Sequence, residues 1–350
     1  TMLIYVRPLF SALCLLGMTC YLMLTRTEGD FHSRHPARQV LQQEEVYSNT
    51  ISDYNYNLDE FSDGEYRDYY FPTCKCTRLY VTGDIPVSSQ CGPFSSLRGP
   101  NQKVVSYSFY GNTSSAFFRG VQENANRIRK YYPGWVMRVY HNIKIADLKD
   151  ADRERVCDVI CNNDHVDFCD VTQLPTIGDV SNLFGMIWRF LVLGDPLVER
   201  LVVRDLDSLV TPREVAAVQE WIQSNKTFHG MRDSPMHNAL VLGGMWGAVN
   251  HPLSLSQKLR DRILRVSDWN YKGYDQKVLD LVLGPEVNGS GLFHDSFFCR
   301  SFPLTRAFPT RRDPDGDFVG SPALLYPSVK IRQECPPACR PAGHKDWKFC

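Results

Sequence analysis

The sequence predicts an α/β protein in which a mostly parallel central sheet is flanked by helices. The first observation is a strand, helix, strand order over residues 104–140, because parallel strands must be joined by a crossover. The second is that apolar runs and helical patterns continue to alternate further along the chain. The third is the buried-strand pattern of residues 197–203, which ends at two aspartates, where α/β sheets build their sites.

Local patterns define each element in turn. The predicted strands are short apolar or alternating runs at residues 104–110, 135–140, 166–168, 197–203 and 227–231. Residues 240–242 are a further short apolar run, and residues 292–298 are predicted to form a late strand or a strand-end loop. The predicted helices have apolar residues at helical spacing and cover residues 115–132, 182–193, 212–223 and 274–283. Pro133-Gly134 ends the first of them, and Thr211-Pro212 begins the third.

Composition indicates a globular protein with no nucleic-acid partner. The 350 residues are 43% hydrophobic and 22% charged, which suits one large core or two modest ones. Lys and Arg number 39 and are balanced by 39 Asp and Glu, so no global positive field favours nucleic acid.

The amino end is predicted to hold a membrane anchor followed by a stem. Residues 8–24 are almost continuously apolar, and bulky residues close the run, which favours an uncleaved signal-anchor over a cleaved signal peptide. Arginines on both sides leave its orientation undecided. We predict a cytoplasmic tail at 1–7, a transmembrane signal-anchor at 8–25, an acidic Tyr-rich stem at 27–70, a Cys-containing collar at 71–100 and a lumenal domain at 101–350.

Cysteine usage predicts an oxidising lumen for the part beyond the anchor. Ten cysteines follow the anchor, an even number that favours disulfides. Three N-glycosylation sequons agree with this location and begin at Asn112, Asn225 and Asn288. The alternative that stays open is a zinc site built from Cys157, Cys161, His165 and Cys169.

Asp205 and Asp207 are the candidate metal ligands. Two aspartates spaced i, i+2 beyond a strand can reach one hard divalent cation, which can bridge the phosphates of a nucleotide-activated substrate. The structural alternative is an ordinary polar turn before the next helix. His294 lies in a predicted strand-end loop and is the candidate third ligand.

Four sequence blocks occur in an order that resembles one enzyme family. They are RFLVLGDPLVERLVVRDLDS, FHGMRDSPMHNALVLGGMWG, YDQKVL and HDSFFC. Together with the anchor and stem, they resemble type II Golgi glycosyltransferases of the Rossmann-like GT-A fold over about residues 103–320. The resemblance implies hexosyltransferase-like transfer from a nucleotide diphosphate sugar, with UDP favoured, to a glycan or glycoprotein acceptor in the Golgi lumen. It also implies Mn²⁺ or Mg²⁺ as cofactor, with a retaining mechanism favoured.

The resemblance and the local patterns assign further site residues. The candidate catalytic residues are Asp275, Gln276 and Asp233. The candidate substrate-binding residues are Tyr110, Gly111, Arg204, Arg232, Gly243, Gly244 and Trp246. Several of these residues have a structural alternative: Asp275 as a helix cap, Arg204 as an ion-pair partner of the two aspartates, Gly243 and Gly244 as a tight turn, and Trp246 as core.

Two other classes of function remain open from the sequence. One is a disulfide-rich ectodomain that binds partners without catalysis. The other is a different lumenal, metal-dependent enzyme that uses the same carboxylates for phosphate chemistry. Release of UDP that depends on a sugar donor would separate a glycosyltransferase from both.

Overall fold

A computed structural model describes residues 66–81, 87–266, 271–302 and 304–350. The predicted tail, anchor and nearly all of the predicted stem lie outside these ranges. Within the ranges described, none of the helices has the length and apolar character needed to cross a membrane. All the described residues belong to one compact unit, Phe61–Cys350.

The described chain begins with a hairpin and continues into an eight-stranded sheet. The hairpin strands β1 (Tyr66–Phe71) and β2 (Cys76–Val81) pair antiparallel. The sheet contains β3 (Gln102–Phe109), β4 (Val136–His141), β5 (Val166–Asp170), β6 (Val198–Arg204), β7 (Phe228–Arg232), β8 (Met245–Val249), β9 (Gly291–Asp295) and β10 (Thr305–Arg306). Their order is β10, β9, β7, β8, β6, β3, β4, β5.

Within this sheet, β8 runs antiparallel to β6 and β7, and every other neighbouring pair is parallel. The α-helices are α1 (Pro93–Leu97), α2 (Ala116–Tyr131), α3 (Asp150–Asn162), α4 (Pro212–Gln223), α5 (Leu253–Val266) and α6 (Tyr274–Val282). Short 3₁₀ segments cover Ile145–Asp147, Gly185–Phe190 and Pro337–Cys339. The predicted α/β class with a large, mostly parallel sheet is confirmed.

Different helices cover the two faces of the sheet. Alternate residues of a strand point to opposite faces, so Val105 and Tyr107 of β3 pack with α2, α3 and α4, whereas Val104 packs on the other side. That second face is covered by the Gly185–Phe190 segment, α5 and α6. The sheet is therefore buried on both faces, as expected for a mostly parallel sheet.

Five disulfides close the described unit. They are Cys74–Cys157, Cys76–Cys161, Cys91–Cys169, Cys299–Cys339 and Cys335–Cys350. The first three attach the hairpin and the α1 segment to α3 and β5, and the last two close the carboxyl-terminal segment. Disulfide pairing of the ten cysteines is confirmed. The zinc alternative is wrong, because three of its four ligands are oxidised.

Some elements differ from the sequence prediction. The short apolar run at residues 240–242 leads into a turn in which Met245 N donates to Leu242 O at 3.1 Å, and β8 begins at Met245. The predicted helix over 182–193 is a 3₁₀ segment. Part of the predicted stem, from Tyr66 on, is strand β1. Helices α3 and α5 escaped the sequence analysis because few of their positions are apolar and buried.

Candidate active site

The ends of three strands form one edge of the sheet. Because β3 and β6 are parallel, Tyr110 after β3 and Asp205 after β6 lie at the same edge. Strand β8 runs the other way, and its first residue, Met245, pairs with Arg204. The turn before β8, which contains Gly243 and Gly244, therefore reaches the same edge.

Gly243 and Gly244 leave room for two carboxylates. A Cβ atom on Gly244 would overlap the Asp205 carboxylate, and a Cβ atom on Gly243 would lie 2.7 Å from Asp275 Oδ2. Both glycines are predicted from the sequence to bind substrate. In the structure, the space that they leave is filled by side chains of the chain itself.

Arg189 joins these two carboxylates. Its guanidinium forms an ion pair with Asp205 through Nη1 and with Asp275 through Nη2, the latter at 2.7 Å. The backbone around it is attached to β3, because Arg189 N donates to Ser108 Oγ at 2.8 Å and Ser106 Oγ donates to Arg189 O at 2.7 Å. The sequence analysis missed Arg189. Ser106 and Ser108 are polar residues in an otherwise buried strand. They were the one feature of the sequence that could have indicated a polar segment bound to β3.

Asp275 lies in the first turn of α6 without capping it. The N-cap position is Gly273, whose φ of 87° is in the left-handed region that favours glycine. The Asp275 side chain is 5% exposed and pairs with Arg189. Gln276 accepts a hydrogen bond from Gly243 N at 3.1 Å and donates to Val241 O, so it holds the glycine turn. The predicted Asp275, Gln276 and glycine turn are thus brought together.

Asp207 lies beside Asp205 in a poorly solvated environment. Burial and the charge of Asp205 raise the pKa of Asp207 to about 6. Its backbone oxygen accepts a hydrogen bond from Leu324 N at 3.2 Å, which fixes the turn. Two neighbouring acids repel each other when both are ionised, and a divalent cation held by both would remove that repulsion. The pair therefore fits a hard cation.

Among the described residues, no group of three or more His, Cys, Asp or Glu side chains is placed to hold a metal ion. Asp205 and Asp207 are compatible with a cation of the Mg²⁺ type, which often binds one or two carboxylates and takes its other ligands from substrate phosphates and water. The predicted third ligand, His294, is not brought to them. It lies within β9, where its ring nitrogens contact His229 Nε2 at 2.9 Å and Glu220 Oε2 at 3.0 Å.

Arg204 is a structural residue rather than an open fork for phosphate. Its side chain is 1% exposed and pairs with Glu214 of α4 at 2.8 Å. Its Nη1 donates to Gly244 O at 2.7 Å. The sequence analysis considered an ion pair with the neighbouring aspartates, but the partner is Glu214. Arg204 thereby supports the glycine turn from behind.

Three other predicted residues are buried within the protein. Asp233 is fully buried, and its oxygens accept hydrogen bonds from Arg213 at 2.8 and 2.9 Å and from Val319 N at 3.0 Å. Arg232 pairs with Asp295 at 2.6 Å, and Trp246 is 1% exposed within the core. All three side chains are buried, and those of Asp233 and Arg232 are held in ion pairs with Arg213 and Asp295. The catalytic and binding roles of the three residues stay predictions.

Tyr110 and Gly111 stay at the open side of the edge. The Tyr110 side chain is 43% exposed, and its ring lies edge-on to Trp188 with centroids 5.9 Å apart. Burial and the nearby acids raise the pKa of Tyr110, while Arg189 opposes this, so the hydroxyl stays neutral and can donate a hydrogen bond at ordinary pH. Gly111 has a φ of 104°, a conformation that glycine adopts without strain.

The chain has matches among solved structures but none among protein-family models or curated sequences. The chain is similar to the crystal structure of a glycosyltransferase involved in the glycosylation of the major capsid of PBCV-1, with 14% identity, covering 57% of this chain and 85% of that chain, at a TM-score of 0.32. A TM-score of this size does not establish a shared fold or activity.

Proposed function

We propose that the chain is a metal-dependent glycosyltransferase with a GT-A-like domain. It moves a sugar from a nucleotide diphosphate donor, with a UDP-sugar favoured, to a glycan or glycoprotein acceptor. The observation that carries the proposal is the convergence of Asp205, Asp207, Arg189 and Asp275 at the carboxyl edge of the sheet. Carboxylates from two distant parts of the chain meet there beside an exposed tyrosine.

Asp205 and Asp207 would hold Mn²⁺ or Mg²⁺ through carboxylate oxygens. The cation would supply Lewis-acid stabilisation of the charge that develops on the departing diphosphate. The Asp205 side chain is 38% exposed, so it is accessible to a ligand from solvent. Tyr110, at the end of the neighbouring strand, is placed to contact the donor with its exposed ring and its neutral hydroxyl.

Asp275 would act beside the reacting sugar. Arg189 Nη2 lies 2.7 Å from Asp275 Oδ2 and orients this carboxylate, and Arg189 also contacts Asp205. The buried arginine therefore sets the position of both acids relative to each other. A fixed negative charge at this place can stabilise positive charge that develops on the sugar ring in the transition state. A retaining outcome remains our favoured proposal, based on the position of Asp275-Gln276 in the chain.

A lumenal location is part of the proposal. Five disulfides in the described unit are typical of an oxidising compartment and support it. The apolar run at residues 8–24 would anchor the protein as a type II membrane protein of the Golgi.

The test is release of UDP, GDP or CMP from a panel of nucleotide sugars by the full chain, with Mn²⁺, with Mg²⁺ and with chelator. We expect release from a UDP-sugar that requires the cation and increases with acceptor. Asp158, an exposed carboxylate on α3, provides the matched control for Asp205: Asp158→Ala should keep the activity and Asp205→Ala should lose it. Donor binding without any turnover would instead support a non-catalytic ectodomain.

A further inference from the structure

Two of the three sequons lie side by side at the edge of the sheet opposite the candidate active site. Phe228 of β7 pairs with Gly291 of β9 in a parallel ladder. Each is the first paired residue at the amino end of its strand. Asn225 lies three residues before Phe228, and Asn288 lies three residues before Gly291. The two asparagines therefore occupy equivalent places before neighbouring strands.

The turns that carry these asparagines are joined and face solvent. Phe228 N donates to Ser290 O at 3.1 Å, and Lys226 Nζ donates to Gly289 O at 3.3 Å. Asn225 and Asn288 are both exposed. Asn225 has a φ of 56°, which places it in a tight surface turn after α4. Exposed turns of this kind are where a bulky group can be attached without disturbing the core.

The third sequon is in a different environment. Asn112 directly follows Gly111 at the carboxyl end of β3, so a bulky group on it would stand at the mouth of the candidate active site. Its Oδ1 accepts hydrogen bonds from Ser114 N and Ser114 Oγ, both at 2.9 Å. Thr113 between them is buried and donates to Asp152 at 2.8 Å. Asn112 and Ser114 are themselves exposed, so this sequon differs from the other two in its buried Thr113 and in its place at the carboxyl end of β3.

We propose that Asn225 and Asn288 form a paired N-glycosylation site at the amino edge of β7 and β9. In each case the side-chain amide nitrogen forms a bond to the anomeric carbon of an oligosaccharide carried on a lipid diphosphate. The nitrogen loses one proton, and the lipid diphosphate leaves. The five disulfides support the lumenal environment in which this chemistry takes place.

The position of the pair has a consequence for access to the sheet. Strand β7 has five residues, so its two ends are roughly 13 Å apart along the strand. Two hydrophilic glycans at the amino edge would cover the turns there and leave the carboxyl edge open. A glycan at Asn112 would stand at that open edge instead.

The experiment is glycopeptide mass spectrometry and glycosidase mobility assays on the full chain made in a eukaryotic secretory pathway. We expect oligosaccharide on both asparagines, the loss of one mobility step in Asn225→Gln and in Asn288→Gln, and the loss of both steps in the double variant. Thr227→Ala and Ser290→Ala should give the same losses while leaving the asparagines in place. Thr227→Ser and Ser290→Thr preserve the sequons and should keep both steps.

Glycopeptide mapping of the unaltered chain requires no variant, so it tests the proposed paired glycosylation even if a variant fails to fold. Oligosaccharide at only one of the two sites, at neither, or at Asn112 alone would overturn the proposal. These outcomes do not depend on whether the chain transfers sugar.

Discussion

Arg189 is a buried cation that two carboxylates share. Its side chain is 4% exposed, and removing a guanidinium from water to this extent is costly unless it is paired. Asp205 and Asp275 provide the compensating charge from two elements that are far apart in the chain. Asp205, the proposed metal ligand, and Asp275, the candidate catalytic acid, are therefore linked through one side chain, and a change at either one alters the surroundings of the other.

Asp205 and Asp207 should both be required for turnover, and Asp207 should contribute little to stability. We expect Asp205→Ala and Asp207→Ala each to lower cation-dependent UDP release at least about a hundredfold, because a bound cation contributes several kcal/mol of charge stabilisation. The melting temperature of Asp207→Ala should not fall much, since burial and Asp205 already disfavour its charge. Turnover and melting curves measured on the same samples test this. Full activity in either variant would contradict the metal role.

Asp275→Asn tests whether the charge of this side chain matters. Asparagine keeps the volume and the hydrogen-bond acceptor but removes the negative charge next to Arg189. We expect turnover to fall by roughly a hundredfold or more if the charge acts on the transition state. Asp261→Asn on α5, whose partner is its neighbour Arg260, is the matched control and should leave turnover unchanged. Near-normal turnover in Asp275→Asn would assign this residue to structure alone.

At the scale of elements, the glycine turn before β8 should tolerate an added side chain poorly. We expect Gly244→Ala to displace the Asp205 carboxylate, because the added Cβ would overlap it. Displacement of about 1 Å can lower turnover on the order of a hundredfold. Gly92→Ala is the matched control, since no atom lies within 4 Å of the position of its Cβ. Equal turnover in the two variants would show that the turn adapts.

A buried ionic network attaches the segment before α1 to the sheet. Arg138 of β4 pairs with Asp195 at 2.6 Å and donates to Gln102 Oε1 at 2.8 Å. Asp195 also accepts hydrogen bonds from Ser89 Oγ at 2.7 Å and Gln90 N at 2.9 Å. The network thus joins four segments, namely the segment before α1, strands β3 and β4, and the segment before β6, in addition to the disulfides.

Removing one member of this network should be strongly destabilising. We expect Arg138→Ala to lower the free energy of unfolding by about 3–5 kcal/mol, because Asp195 would be left buried and unpaired. Arg129→Ala is the control, since its ion pair with Asp164 has side chains 52% and 87% exposed and should contribute less than about 1 kcal/mol. Denaturant midpoints measure both values. Similar midpoints for the two variants would contradict the role of the network.

At the scale of the whole molecule, buried histidines should make stability depend on pH. Burial lowers the pKa of five described histidines, His141, His165, His229, His237 and His294. For His141 the value is about 4, compared with about 6.5 in an unfolded chain. Between these values the unfolded state binds more protons, so stability rises with pH across the window and is lost as pH falls.

Three acids act in the opposite direction, since burial raises the pKa of Asp207, Glu214 and Asp280. The histidines outnumber them, so we expect a lower melting temperature at pH 5 than at pH 7. His141→Gln should reduce this dependence, whereas the same change at the exposed His344 should not. A melting temperature that is constant over this range would contradict the prediction.

By itself the sequence determined the elements whose signals are local. Helix α4 has the predicted bounds, because Thr211 accepts a hydrogen bond from Glu214 N at 3.2 Å and Pro212 follows it at the first helical position. Strand β6 and the two aspartates that follow it were predicted equally well, because an apolar run is followed there by polar residues. The parallel order of the first strands followed from the spacing of strand, helix and strand.

Only the tertiary structure decided which charges meet. Arg189 is 16 residues from Asp205 and 86 residues from Asp275, and no local pattern relates them. Asp233 directly follows β7 as Asp205 directly follows β6, yet Arg213 pairs with Asp233 within the core at 2.8 Å. The physical reason is that periodicity depends on neighbours along the chain, whereas the partner of a buried charge is set by the order of strands in the sheet and by the helices packed across it.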